Sequence, residues 1–224
     1  ATGMLTDRQG NISLPAVRAC AEVMVKNAAV TPDGFTNLRF AALANVPAFT
    51  PFLPAAYHQL GESPSCAIAV ECADLVINAF QNAKSCAEGR EKLITTLESE
   101  ARTMHSIFSK LCDRFDIQFK GFDFSPAPYP RDWCSLAGAM EMLGLSAVGL
   151  SGSLAAAAYI ADTLDRGRWL RTGFNGLFLP VMEDSVLASR AADGSLTVRD
   201  LLLFSSVCGA GLDTVPLPGD STPE

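Results

Sequence analysis

The sequence has only two histidines, no C-x-x-C pair and no H-x-x-x-H spacing, which removes zinc ribbons, thioredoxin-like redox motifs and zincins from consideration. It contains no G-x-S-x-G, so the nucleophile turn of a serine hydrolase is missing too. Lys and Arg total 17 against 24 Asp and Glu, a formal net charge of −7, and no basic cluster or aromatic-interleaved basic stripe occurs. Nucleic acid is therefore not an expected partner. No apolar run reaches the roughly 18 residues of a membrane helix, because SAVGLSGSLAAAAYIA is short and broken by Gly and Ser. With no secretion signal before Leu14, a soluble cytoplasmic protein without membrane attachment is expected. The chain begins ATGML without an initiator Met and ends GDSTPE, which suggests a processed or partial segment.

What is present is apolar. Hydrophobic residues make up 49% of the 224 and charged residues 18%, with a mean hydropathy of +0.22, so a large interior or interface is expected. A chain of this length buries a core without disulfides or metals. Its seven cysteines are odd in number and lie mostly within apolar patterns, which reads as reduced thiols.

Along the chain, LPAVRACAEVMVKNA (14–28) has helical spacing with proline in the first turn. TNLRFAALANV reads as a strand, and the Pro-rich loop from Pro47 to Pro64 is too long for a simple connector. CAIAVECADLVINAF predicts a strand running into a helix. A long amphipathic helix follows from about Glu91 to Phe115, its apolar face carrying Ala101, Met104, His105, Phe108, Leu111, Cys112 and Phe115. FKGFDFS predicts a strand, SLAGAMEML and LAAAAYIADTL helices, GLFLPV a buried strand, MEDSVLASR a helix and LDTV a short strand. The alternation argues for one α/β domain over 1–224, a layer or a barrel with its strands inside.

In parallel α/β architectures the loops after the strands build the site. Those positions hold Asn45, then Asp123 with Ser125, then Glu183 with Asp184, then Asp213, an acidic collection. Converging carboxylates raise one another's pKa, which suits proton transfer or a hard divalent cation. Singly, each acid is as well explained by a helix cap or an Asx turn, Asp184 before SVLASR and Asp123 before proline. VCGAGLDTVPLPGD (207–220) offers G-x-G without the third glycine of a dinucleotide fingerprint and reads as a turn and a proline-braced loop fixing Asp213 and Asp220. Ser151 in GLSGS precedes a helix and offers either an anion site or a cap. Arg190 is a candidate for an anionic substrate, and Cys134 and Cys208 adjoin site-like segments but read first as buried inert thiols. Of the histidines, His105 belongs to the apolar stripe, which leaves His58 as the acid–base candidate. The candidate catalytic set is thus Asp123, Glu183, Asp213 and His58, with Asn45, Ser125, Ser151 and Arg190 toward a small-molecule substrate. Asp184, Asp213 and Asp220 are the candidate metal ligands, and no other cofactor is implied.

RFAALANVPAFTPFLPAAYH (39–58), FKGFDFSPAPYP (119–130), GLSGSLAAAAYIADTL (149–164), GFNGLFLPVMEDSVLASR (173–190) and VCGAGLDTVPLPGD resemble, in combination, domain-of-unknown-function family 711. The resemblance implies a ten-stranded α/β barrel similar to that of the pyruvate formate-lyase glycyl radical enzymes, and a homodimer. It also implies that members begin earlier and continue past Glu224, the remainder of the chain then being a partner of this segment. It carries no established activity. The radical relatives use adjacent cysteines and an R-V-x-G-Y glycine loop; this sequence has no adjacent cysteines, and RTGFNG (171–176) is not that loop. Two readings follow: an enzyme with an acidic mouth acting on a small polar metabolite without a glycyl radical, or a non-catalytic homodimer using the 91–115 face.

Overall fold

A computed structural model describes residues 1–52, 55–56 and 61–224. The contacts divide the chain into two compact units, 1–60 with 216–224, and 61–215. Both boundaries fall in proline-rich sequence, where missing N–H donors limit cross-connections.

In the first unit, β1 (Thr2–Met4) pairs in parallel with β2 (Ala41–Leu43), Gly3 opposite Ala42. Between them lies α1 (Leu14–Ala28), started by the Ser13 hydroxyl, which accepts the Ala16 N–H, and by Pro15 in the first turn. The predicted strand 36–46 is only partly formed, because Phe35–Arg39 closes into a 3-10 turn before β2.

In the second unit, β3 (Ser65–Ala69) runs parallel to β4 (Gln118–Asp123), Ser65 opposite Gln118 and Ala69 opposite Asp123, with an irregularity between Cys66 and Ile68. The intervening crossover holds α2 (Ala73–Phe80) and α3 (Cys86–Phe115). Ser85 and Glu88 start α3, the Ser85 hydroxyl accepting the Glu88 N–H, and Asp116 ends it in the left-handed region. Its buried side carries Gly89, Leu93, Leu97, Ala101 and Cys112, with Met104 and Phe108 half-buried. Leu111 and Phe115, expected on that face, are exposed, as is His105, whose ring meets that of Phe119 edge-on with centroids 5.8 Å apart.

A third segment flanks β4. The Phe122 N–H donates to Leu170 O and the Thr172 N–H to Phe122 O, a single parallel bridge. Gly121 allows it: at φ +122° a Cβ there would lie 2.4 Å from Leu170 O. The remaining helices are α4 (Leu136–Glu141), α5 (Ser153–Arg166), α6 (Ser185–Ala192) and α7 (Val198–Ser205). Phe122, Phe124, Leu93, Leu136, Met140, Ile160, Leu177 and Leu187 are sealed in the core. Phe119, Phe122, Phe124 and Trp169 form an aromatic chain with centroids 5.0, 5.6 and 5.2 Å apart.

The architecture is mixed α/β with small parallel sheets, and among the described residues no barrel closes. The predicted strands GLFLPV and LDTV do not form strands. The first makes one backbone bond to another segment, from Leu177 N–H to Cys208 O, and ends at Pro180, which has no donor; the second runs into Pro216 and Pro218. Among the described residues no helix is long and apolar enough to cross a membrane.

Candidate active site

The carboxyl ends of β3 and β4 open onto Glu71 and onto Asp123 with Ser125. The parallel register puts these ends level, since the Val70 N–H donates to Asp123 O.

Asp123 is completely buried and fully engaged. Its Oδ1 accepts the Ser125 hydroxyl at 2.6 Å, the Ser125 N–H at 3.1 Å and the Asn175 N–H at 2.9 Å, and its Oδ2 accepts the Phe174 N–H at 2.6 Å. Ser125 Oγ in turn accepts the Gly176 N–H. Asn175, held at φ +47°, takes the Phe124 N–H and the Trp169 indole N–H on Oδ1 and donates to Thr172 O. The sequence places Asp123 and Ser125 among catalytic and substrate-binding residues. The structure makes them a clamp that ties β4 to the 171–176 loop, with no group turned toward a ligand.

Asp184 is likewise consumed. Buried, it caps α6 through the Val186 and Leu187 N–H groups and receives the Ser135 hydroxyl at 2.6 Å and the Ala137 N–H at the start of α4. Arg190, expected to meet a substrate, forms a bidentate pair with Glu141 at 2.8 and 3.0 Å and also reaches Asp193. These carboxylates hold its guanidinium well above its ordinary value.

The charge of Asp213 is felt at Glu183. The turn after α7 leads into Asp213: Gly209 (φ +79°) and Gly211 (φ +95°) take left-handed backbone, with the Gly211 N–H on Cys208 Sγ at 3.1 Å. The backbone at 208–209 lies so close to Gly176 that a Cβ there would sit 2.5 Å from Cys208 O. Asp213 is half-buried and accepts the N–H and hydroxyl of Thr214. Burial lifts its carboxyl above the usual range despite these bonds. Glu183 is exposed on the turn before α6, and partial desolvation, then the charges of Asp213 and Glu71, lift its carboxyl too.

Glu71 was not among the sequence candidates. Its signal was the one that selected the others, an acid directly after a predicted strand, CAIAV. Beneath these acids lie Cys72 and Cys134, both buried, their thiols pushed up first by burial. Burial of Cys134 matches the expected buried thiol.

Ser151 is exposed in the turn before α5, where the buried Ser153 hydroxyl takes the Gly149 N–H; the helix starts at Gly152 without a side-chain cap, so the expected cap from Ser151 is not formed. Asn45, at φ +57° just after β2, and Asp220 are exposed and belong to the first unit. His58 lies outside the described residues. Among the described residues no three His, Cys, Asp or Glu side chains are grouped so as to hold a metal ion, and Asp184 has its oxygens taken by four donors.

The sequence matches the profile of the uncharacterised ACR family, DUF711, over residues 3–224. The chain belongs to that family. Its relatives include UPF0210 proteins of Pyrobaculum aerophilum and Methanopyrus kandleri, each 31% identical, over 94% and 100% of this chain and 48% and 51% of theirs. A UPF0210 protein of Neisseria gonorrhoeae is 30% identical over 95% of this chain and 49% of its own. The chain thus spans about half the length of the curated relatives it matches. Membership of DUF711 brings no activity with it, so the chemistry has to be argued from the acids.

Proposed function

We propose that the Glu71, Glu183 and Asp213 mouth is an acid–base site acting on a small polar metabolite, without a glycyl radical. One observation carries this reading: Glu183 lies within electrostatic reach of Asp213, and burial raises both carboxyls above their ordinary values. A carboxyl whose pKa is raised holds its proton to higher pH and can donate it to a leaving or carbonyl oxygen, while a neighbouring ionised one withdraws a proton. Asp213, half-buried and braced by Thr214, is the acid; Glu183, exposed beside it, is the group that meets substrate first. The reading takes 1–224 as one barrel-like cytoplasmic domain of the ten-stranded kind that the family resemblance implies. Parallel pairing in both small sheets supports the α/β part of that reading.

The test is a thermal-shift screen of small hydroxy, carbonyl and amino acids on the wild type, with Glu183→Gln and Asp213→Asn beside it. A ligand whose shift disappears in both variants while each still unfolds cooperatively supports the site. Shifts retained in both variants overturn it.

A second reading, a non-catalytic homodimer, is favoured by the outer side of α3. Ile107, Leu111 and Phe115, four residues apart, are 53%, 43% and 62% exposed and form an apolar stripe alongside the buried one.

A further inference from the structure

Outside the acidic mouth, two cysteines from distant parts of the sequence touch. Cys66 in β3 and Cys112 in the last turn of α3 have their Sγ atoms 3.3 Å apart across a separation of 46 residues. Cys66 is half-buried, so a small reagent reaches it, whereas Cys112 is buried behind it. The contact comes from the register. Cys66 opposes Phe119 at the start of β4, only a few residues after α3 ends, so the helix end and the strand are held side by side.

We propose that Cys66 and Cys112 are a dithiol that converts reversibly to a disulfide, fastening β3 to the end of α3. The oxidant is a low-molecular-weight disulfide. The Cys66 thiolate attacks one of its sulfurs, forming a mixed disulfide and releasing one thiol. The Cys112 thiolate then attacks Cys66 Sγ and releases the second. The two protein thiols lose two electrons and two protons, and the oxidant's S–S bond takes them up as two thiols. Attack from Cys112 needs no diffusion, since the sulfurs already touch. Burial, reinforced by Cys112, pushes the Cys66 thiol up to about 11, so the first exchange speeds up steadily as the pH is raised. The strand concerned leads directly to Glu71, although the pairing stands whatever that acid does.

The test uses the purified protein, oxidised glutathione as the oxidant, and alkylation of remaining thiols after denaturation. The expected product is a chain lighter by two hydrogens, whose 66- and 112-containing peptides are linked and separate on reduction. Its unfolding midpoint should rise by roughly 5 °C or more, because the bond closes a long loop. Cys112→Ser should stop at the glutathione adduct on Cys66, and Cys66→Ser should give no link to 112. Both cysteines still free at saturating oxidant would overturn the proposal. So would a bond from either to another cysteine or to a second molecule.

Discussion

At the scale of single residues, carboxylates of the same sequence type have opposite physical roles. Asp123 is ringed by four donors that an acceptor-only group satisfies and an amide does not. Asp123→Asn turns an N–H toward another N–H in a dry site and should cost about 3 kcal/mol, read from denaturant unfolding. Asp213 runs the other way. Its folded pKa is raised, so its favourable contribution is complete below the unfolded carboxyl value and is lost as pH rises through the folded one. Asp213→Asn should therefore be at least as stable as wild type at pH 7, with the difference closing as the pH is lowered. Melting curves across that range check it, and a variant less stable at neutral pH would make Asp213 a structural acid. Asp123 and Asp213 look alike in the sequence, as acids after extended segments. Their difference lies in how many backbone N–H groups converge, and for Asp123 two of the four come from residues 174 and 175.

At the scale of elements, α4 and α6 are joined at both ends by polar contacts rather than by apolar area alone. Asp184 caps α6 and holds the start of α4, and the Arg190–Glu141 pair closes the far end, with Glu141 also taking the Val148 N–H. Desolvation pushes the Glu141 carboxyl up, but the Arg190 and Val148 bonds win and leave it below its ordinary value. Its contribution is thus present above the unfolded carboxyl pKa and is lost as pH falls through the folded one. Arg190→Met should lower the melting temperature at pH 7, by an amount that shrinks in acid as Glu141 is protonated, and should leave ligand shifts at Asp213 unchanged. The helices themselves were legible: 14–28, the long α3 and the Ala-rich α5 follow their apolar spacing, proline placement and caps. The strands GLFLPV and LDTV were not, because an apolar extended run becomes a strand only when a neighbour supplies its hydrogen bonds.

At the scale of the whole molecule, the exposed α3 stripe bears on self-association. If the stripe is a dimer surface, Leu111→Glu should convert a dimer to a monomer in light scattering without lowering the melting temperature of the monomer; a wild-type monomer would remove the homodimer reading. By itself the sequence determined the family, the α/β class, most helices and the acidic character of the strand ends, because periodicity, capping and motif are local or additive properties. Only the tertiary structure decided which acids share an electrostatic neighbourhood. Gly176 packs against the turn at Gly209 that leads into Asp213, whose charge with that of Glu71 is felt at Glu183, while Asp123, Asp184 and Arg190 are drawn into clamps by N–H and carboxylate groups far away in sequence. A carboxylate's role is set by the partners that surround it in space, and those partners lie up to 52 residues away along the chain.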